Sequence, residues 1–287
     1  MSRSSQTSLA QALRDAAASL AQAGQPAARL EAELLLCEAT ALPRTALFAH
    51  PEQPLTATEQ TAFDALLARR LEGEPMAYIL GRRDFHVLTL HSAAGALIPR
   101  PETELLVDWA LAALPAAAPL QGTDLGTGSG AIALALAAAR PNWTLYAVER
   151  DIAALDVAAA NTRRLDAANL HLLRGDWLAG FAPHSLDLVV ANPPYVRAGD
   201  PHLRQGDVRF EPCQALAAGV DGLAATRAIA PQAAAALRPG GLLLLEHGWQ
   251  QGAEVRAMLR AGGWCAIVTR RDLAGLERAT GAHRPSC

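Results

Sequence analysis

The chain has 287 residues, of which 51% are hydrophobic and 18% are charged, and its formal net charge is -3. This length predicts one large domain or two unequal ones, and the apolar content is enough for a sizeable core, which excludes a disordered chain. Because a protein that grips duplex nucleic acid usually carries a basic surplus, the slightly acidic balance argues against that class.

The sequence indicates neither a metal site nor a membrane span. The four cysteines lie far apart without a CxxC pair, and the eight histidines lack ligand-like spacing, so no metal is expected. Residues 1–24 lack the continuous apolar core of a signal peptide, and the apolar run GGLLLLEHG is too short to cross a bilayer. We therefore expect a cytoplasmic protein that has no membrane partner. We also expect a monomer, although no pattern in the sequence specifies the oligomeric state.

Residues 1–73 are predicted to form a small all-α domain. Three segments carry apolar residues at helical spacing together with start or stop signals. The clearest start signal is Thr56 with Glu59, which have the spacing of a capping box. The predicted helical segments are 8–24, 26–42 and 56–73.

The remainder of the chain has a different pattern. Residues 74–104 mix aromatic, β-branched and turn residues and are predicted to form a β-hairpin or linker. From residue 105 to 287, short apolar runs alternate with helical segments, which is typical of βαβ units with a parallel sheet covered on both faces. We therefore predict an α/β fold, with a Rossmann-like, doubly wound and mostly parallel sheet in residues 105–287.

A glycine-rich loop follows the first predicted strand of this region. Gly126, Gly128 and Gly130 come after Asp124 and lead directly into an alanine-rich helix. Glycines at this place let the backbone turn tightly and approach a ligand closely, and the free N–H groups at the helix start suit a carboxylate or phosphate. The loop therefore predicts a cofactor site.

An acidic residue stands where a nucleotide site requires one. Glu149 ends the next predicted strand, TLYAVE, nineteen residues after Gly130, and a carboxylate there can accept hydrogen bonds from both ribose hydroxyls. The loop and the acid together predict a cofactor that contains adenosine. They leave NAD open, since Gly126, Gly128 and Ala131 also satisfy the G-x-G-x-x-A dinucleotide pattern.

The stretch LDLVVANPPYV ends a continuous apolar run with an unusual turn. Asn192 lies at the C-terminal end of this predicted central strand, where open α/β sheets bind ligands. Pro193 and Pro194 fix the backbone and have no N–H, so carbonyl oxygens face little donor competition, and Tyr195 adds an aromatic wall. Such a set suits a planar –NH₂ group, whose two hydrogens meet two acceptors while its nitrogen is aimed at a third point.

These motifs resemble a known family. DLGTGSG, AVERD, GDW and NPPYV are similar to the successive motifs of the class I S-adenosylmethionine-dependent methyltransferases. The closer resemblance, over residues 74–270, is to the protein-(glutamine-N5) methyltransferases of the HemK/PrmC type. NPPY is shared with enzymes that methylate exocyclic base amines, whereas LIPRPETELLVDWAL and RFEPCQALAAGVDGL are more specific. The resemblance implies a class I methyltransferase fold with S-adenosyl-L-methionine as the cofactor.

The resemblance also implies a set of cofactor-binding residues. Within that set, Glu149 corresponds to the acid that binds the ribose, and Asp176 and Trp177 correspond to the position that borders the adenine. The complete set comprises Gly126, Thr127, Gly128, Ser129, Gly130, Glu149, Asp176, Trp177 and Asn192.

Asn192 is implied to touch both the cofactor and the substrate. Pro193, Pro194 and Tyr195 would form the substrate-binding pocket together with it, and the implied catalytic residues are Asn192, Pro193 and Tyr195. The resemblance also places three residues at the border of the site without separate roles. These are Arg100, Pro101 and Glu102.

The implied substrate is the glutamine of the GGQ tripeptide in class-1 peptide chain release factors. RPETE favours this branch over a sister family that methylates a ribosomal protein, and the helical domain is interpreted as the part that recognises the release factor. One alternative keeps the cofactor but acts on an exocyclic base amine of RNA or DNA, which would need a basic, aromatic-lined surface. Another is a NAD-dependent oxidoreductase, although the chain has no lysine for a Tyr–Lys arrangement.

Overall fold

A computed structural model describes residues 7–286, and the chain divides into two compact units, Met1–Gly81 and Arg82–Cys287. Residues 1–6 of the predicted helical domain and residue 287 of the predicted catalytic domain lie outside the described residues. The division at Gly81 falls within the segment that was predicted to be a hairpin or linker. No helix in the described part of the chain is both long and apolar enough to span a bilayer.

The first unit is helical. Its described helices are α1 Leu9–Gln22, α2 Ala28–Thr40, α3 Arg44–Ala49, α4 Ala57–Leu71 and α5 Met76–Ile79. Ser8 caps α1, and Thr56 forms a capping box with Glu59 at the start of α4, as the sequence spacing predicts. The short helices α3 and α5 are additional to the three predicted ones. Leucines of α1 and α2 form the centre of the core, with Phe63 packed against them.

The second unit begins with an antiparallel hairpin, β1 Arg82–Phe85 and β2 Leu88–His91. The side chain of Asn161, which is fully buried, joins this hairpin to the glycine loop. Its Nδ2 donates to the carbonyls of His91 and Ser129, each at 3.0 Å, and its Oδ1 accepts from the N–H of His91 at 2.6 Å. One side-chain amide therefore positions two segments that are far apart in the sequence.

A seven-stranded sheet forms the centre of the second unit. Its strands are β3 Gln121–Leu125, β4 Thr144–Glu149, β5 Leu170–Arg174, β6 Leu186–Ala191, β7 Leu237–Glu246, β8 Cys265–Arg271 and β9 Glu277–His283. Their order across the sheet is β5-β4-β3-β6-β7-β9-β8. The pairs from β5 to β7 are parallel, and β9 is antiparallel to both of its neighbours. The predicted doubly wound, mostly parallel sheet is thus confirmed.

Helices cover both faces of this sheet. They are α6 Glu104–Ala113, α7 Ala131–Ala139, α8 Ile152–Arg164, α9 Ala224–Ala236 and α10 Gly252–Ala261. One apolar cluster contains residues of α6 and α7, and a second contains residues of α9 and α10. Strand β6 contributes to both, because Leu188 and Val190 belong to the first cluster while Val189 and Ala191 belong to the second. Its continuous apolar sequence is therefore that of a strand buried on both faces.

The register of β6 depends on its one polar residue. Since both faces of the strand are apolar, side-chain alternation alone does not distinguish neighbouring registers. Asp187 specifies the register, because its Oδ2 accepts a hydrogen bond from the N–H of Gln121 at 2.8 Å and pairs with the guanidinium of Arg238. These contacts fix β6 against the start of β3 and against β7.

Close packing over β9 gives a test of the fold. A Cβ atom at Gly281 would lie 2.6 Å from Cζ2 of Trp109 and 2.8 Å from Cδ2 of Leu244. We expect Gly281→Ala to lower the free energy of unfolding by about 1–3 kcal/mol, because the buried indole has to shift. The measurement is the urea midpoint. Gly180→Ala is the matched control, since a Cβ there meets nothing within 4 Å; equal midpoints for both variants would contradict the packing described here.

Candidate active site

Three segments that the sequence singled out meet at the carboxyl edge of the sheet. Leu125 of β3 pairs with Val148 of β4 on one side and with Ala191 of β6 on the other. The next residues along the three chains are therefore Gly126, Glu149 and Asn192. Strand order reverses at β3, and the crevice beyond such a switch point is where open α/β sheets bind ligands.

The glycine loop adopts a conformation that requires glycine. Gly126, Gly128 and Gly130 have φ values of 66°, 57° and 86°, in the left-handed region that side chains disfavour. Between them, the N–H of Thr127 donates to the carbonyl of Val148 at 3.0 Å. Gly130 directly precedes α7 and serves as its N-cap. The loop thus crosses from β3 to the start of α7 in five residues.

A buried aspartate forms hydrogen bonds with the glycine loop and with the start of α7. Asp124 accepts a hydrogen bond from Oγ1 of Thr127 at 2.5 Å and another from the N–H of Ala133 at 3.3 Å. Its other oxygen, Oδ1, is buried without a hydrogen-bond partner among the described residues. Desolvation raises the pKa of this carboxyl to about 7. Asp124 is therefore a structural anchor of the loop, and its ionisation is opposed by its surroundings.

The Glu149 carboxylate is held by backbone donors. Oε2 accepts from the N–H of Gly128 at 3.0 Å, and Oε1 accepts from the N–H groups of Arg150 at 2.8 Å and Asp151 at 3.0 Å. The acid is consequently fixed beside the glycine loop before any ligand arrives. A fixed carboxylate of this kind retains lone pairs that can accept from a vicinal diol.

Trp177 lies against the glycine loop in a strained conformation. Its φ of 47° is rare for a bulky residue. A Cβ atom at Gly126 would lie 3.4 Å from Cζ3 of the indole, so the ring packs directly on the loop. Asp176 precedes it and lines the same cleft. Backbone strain at a cleft is an indication of function rather than of stability.

Three cavities at this edge of the second unit share Asn192 in their lining. The larger cleft, of about 190 Å³, is bordered by Gly126, Gly128, Glu149, Asp176, Trp177, Asn192 and Pro194 among others. A smaller cleft of about 50 Å³ is bordered by Leu97, Arg100, Asn192, Pro193, Pro194, Tyr195, Val196, Ala215 and Leu216. Thr127 and Ser129 line a third cavity with Asn192. Asn192 borders all three, so the predicted cofactor and substrate residues are brought together at its side chain.

Hydrogen bonds orient the side chains of NPPY. Nδ2 of Asn192 donates to Oγ1 of Thr103 at 3.0 Å, and in this orientation Oδ1 is the end of the amide that can accept from a ligand. The hydroxyl of Tyr195 donates to Oε1 of Glu246 at 3.3 Å, and burial raises the pKa of the tyrosine above its usual range. Nε2 of Gln251 donates to the Tyr195 carbonyl at 3.1 Å. The turn is thus fixed from several directions.

Several residues of the site were not singled out by sequence reasoning. Thr103 and Glu246 contact NPPY, and Glu211 accepts hydrogen bonds from the N–H of Ile98 at 2.9 Å and from the guanidinium of Arg100. Of these residues, Glu246 is the one that the sequence could have indicated as part of the site, since it is a charged residue that ends an apolar strand at the ligand-binding edge. The others belong to RPETE and RFEP, whose importance was visible only through the resemblance.

Family models match both parts of the chain. Residues 11–81 match the family model described as the PrmC N-terminal domain, and residues 103–206 match the methyltransferase small domain. Among solved structures, a methyltransferase from Pyrococcus furiosus aligns with a TM-score of 0.52 at 16% identity, covering 76% of this chain and 97% of its own. A ribosomal protein L11 methylase from Lactobacillus delbrueckii subsp. bulgaricus aligns with a TM-score of 0.50 at 18% identity, covering 67% of this chain and 83% of its own. These two likenesses concern the fold alone.

Curated relatives extend over nearly the whole chain. The release factor glutamine methyltransferase of Xylella fastidiosa strain Temecula1 is 46% identical over 93% of this chain and 97% of its own length. The protein of the same name from Escherichia coli K12 is 46% identical over 93% of this chain and 96% of its own. The protein of the same name from Pseudomonas aeruginosa is 50% identical over 89% of this chain and 92% of its own length. The chain therefore belongs to the release factor glutamine methyltransferase family.

Proposed function

We propose that this protein transfers a methyl group from S-adenosyl-L-methionine to N5 of the glutamine in the GGQ motif of class-1 peptide chain release factors. The observation that carries the proposal is the place of Asn192, whose side-chain amide borders both the larger cleft and the smaller one. A methyl donor in the first and a glutamine side chain in the second would meet at that amide. The names of the curated relatives support the same substrate.

The residues of the larger cleft fit the proposed cofactor. The Glu149 carboxylate, held by three backbone N–H groups, would accept hydrogen bonds from the ribose hydroxyls. Asp176 and the indole of Trp177 would border the adenine. The backbone of residues 126–130 would surround the methionine part, with the start of α7 favouring its carboxylate. When bound, the cofactor supplies an electrophilic methyl group on a sulfonium.

The smaller cleft would hold the glutamine side chain. Oδ1 of Asn192 and the carbonyl oxygen of Pro193 are the acceptors proposed for the two amide hydrogens, so that the nitrogen is aimed toward the larger cleft. Pro194 and Tyr195 would form walls around the amide. Neither proline offers an N–H that would compete for these acceptors.

This arrangement would make a weakly nucleophilic amide nitrogen easier to methylate. An amide nitrogen is a poor nucleophile because its lone pair is delocalised into the carbonyl group. Acceptors aimed at its hydrogens bind more strongly as the nitrogen becomes pyramidal and positive, which is stabilisation of the transition state in preference to the ground state. The methylated nitrogen is then strongly acidic and loses its proton to water, so Asn192 does not have to act as a base.

The first unit is proposed to recognise the release factor, in keeping with its match to the PrmC N-terminal domain. A monomeric state and a cytoplasmic location stay predictions from the sequence. The ribosomal-protein and nucleic-acid substrates are alternatives that the following experiment separates from the release factor.

The proposed substrate is tested by methyl transfer from labelled cofactor to purified release factor. We expect label in the wild-type factor and none when its GGQ glutamine is replaced by alanine, because the methyl group goes to that side chain. Parallel reactions contain ribosomal protein, RNA and DNA. Label in one of these substrates and none in the release factor would overturn the proposal.

Asn192→Ala tests the amide clamp. We expect kcat to fall by about 10²–10³-fold, since an acceptor of the transition state is lost, while the Kd for the cofactor changes by less than about tenfold. Turnover is measured with saturating release factor, and cofactor binding by calorimetry. Asn142→Ala is the control, because that exposed asparagine bonds to carbonyls in a remote loop. Near-normal turnover of the Asn192 variant would refute the assignment.

The acid of the larger cleft distinguishes the two cofactors that the sequence left open. We expect S-adenosylmethionine to raise the melting temperature of the wild type and NAD to leave it unchanged. Glu149→Gln should raise the Kd for S-adenosylmethionine by about 10–100-fold, because the charge is lost and an –NH₂ group replaces one of the two oxygens that accept from the backbone and the ribose. Glu254→Gln, on the exposed face of α10, serves as the control. A melting-temperature shift with NAD alone would contradict the cofactor assignment.

A further inference from the structure

The side-chain amide of Asn192 has two orientations that differ by a half-turn, and only one suits the proposed reaction. With Nδ2 on Thr103, Oδ1 is available to the –NH₂ group of the substrate. In the reverse orientation the asparagine would present its own –NH₂ to that group, and two donors would face each other. A group that fixes the orientation therefore contributes to turnover without touching the substrate.

Thr103 alone cannot choose between these orientations. Its hydroxyl, which is buried at the end of the short turn Pro101–Thr103, has one hydrogen to donate and lone pairs that accept. It can accept from Nδ2 of Asn192, as observed, or donate to Oδ1 of a reversed side chain. The choice depends on where the hydroxyl hydrogen of Thr103 goes.

Glu246 is the acceptor that can take this hydrogen. It ends β7, is 1% exposed, and already accepts from the hydroxyl of Tyr195 at 3.3 Å. Thr103 faces the same carboxyl and lowers its pKa. Oε2 of Glu246 is buried and has no hydrogen bond of ordinary geometry within residues 7–286. A buried carboxylate oxygen without a donor is costly, and a small movement of the Thr103 side chain that brings its hydroxyl within hydrogen-bonding distance would remove that cost.

We infer that Glu246 and Thr103 are positioning residues for Asn192. The Glu246 carboxylate takes the hydroxyl hydrogen of Thr103, so Thr103 can only accept from Asn192, and Oδ1 of Asn192 is turned to the substrate. This inference rests on the proposed function, because it assigns the clamp residue the role given above.

The ionisation of Glu246 should then change kcat. Burial raises the pKa of this carboxyl to about 7, Glu102 raises it further, and Arg278 and the hydroxyls of Thr103 and Tyr195 oppose the rise. Below that pKa the protonated acid can itself donate to Thr103, which frees the hydroxyl hydrogen for a reversed Asn192. We therefore expect kcat to fall as the pH drops through about 7.

Thr103→Val and Thr103→Ser test the hydroxyl, measured as kcat with saturating release factor and cofactor. We expect Thr103→Val to lower kcat by about 10–100-fold, because Nδ2 of Asn192 loses its partner, and Thr103→Ser to retain most of it. Thr226→Val is the matched control, since Thr226 is also buried but lies in α9. Wild-type turnover of Thr103→Val, or equal losses in Thr103→Val and Thr103→Ser, would overturn the inference.

Glu246→Gln tests the carboxylate. The glutamine can still accept from Tyr195, but it does not titrate, so we expect a lower kcat at pH 8 and no further loss between pH 8 and 6. The buried Asp124 titrates in the same range, and it is unchanged in this variant. An acidic limb of the same size in Glu246→Gln as in the wild type belongs to another group and would overturn the role of Glu246.

A readout without substrate separates this inference from the proposed function. The side-chain amide resonances of Asn192, assigned by their loss in Asn192→Asp, are followed by NMR from pH 6 to 8. We expect them to shift with a midpoint near 7 in the wild type and to stay constant in Glu246→Gln. Constant resonances in the wild type refute the positioning role. A wild-type protein that shows the shift but does not methylate the release factor refutes the proposed substrate and leaves the positioning role standing.

Discussion

The parallel pairing of β3 with a strand on each side is the constraint on which the site depends. Because Leu125 is in register with both Val148 and Ala191, the three chains leave the sheet at the same level. The glycine loop, the fixed acid and the asparagine of NPPY are consequently neighbours before any side-chain contact is considered. The side chains then refine positions that main-chain hydrogen bonds have already set.

The two clefts are built by different means. The larger one is held mainly by backbone groups, namely the left-handed glycines and the N–H groups that hold the carboxylate of Glu149. The smaller one is held by side chains from distant segments, such as Glu211 with Arg100 and Glu246 with Tyr195. A local backbone motif can bind a cofactor that many enzymes share, whereas binding one particular substrate requires contacts that are specific to this chain.

This difference decides what could be predicted from the sequence. The helix caps, the glycine loop, Glu149 and NPPY are local patterns that can be seen in the sequence, and the structure places the last three at one edge of the sheet. The partners of NPPY are remote in sequence, and no spacing rule connects Thr103 or Glu246 to Asn192. Strand β9 does not follow from the apolar runs in the sequence, because ERATGAH is poor in β-branched and aliphatic residues. Its neighbours supply the reason for that composition, since the indole of Trp109 occupies the space of a side chain at Gly281.

The contacts of Asp187 have a consequence for how this protein tolerates change. Asp187 and Asn192 stand at opposite ends of β6, and five residues of strand span about 16 Å. The apolar residues between them fit either neighbouring register. The position of Asn192 therefore depends on the polar contacts of Asp187 at the other end of the strand. Inherited variation at Asp187 or Arg238 is therefore expected to affect catalysis by changing the register of β6, with the apolar core still filled.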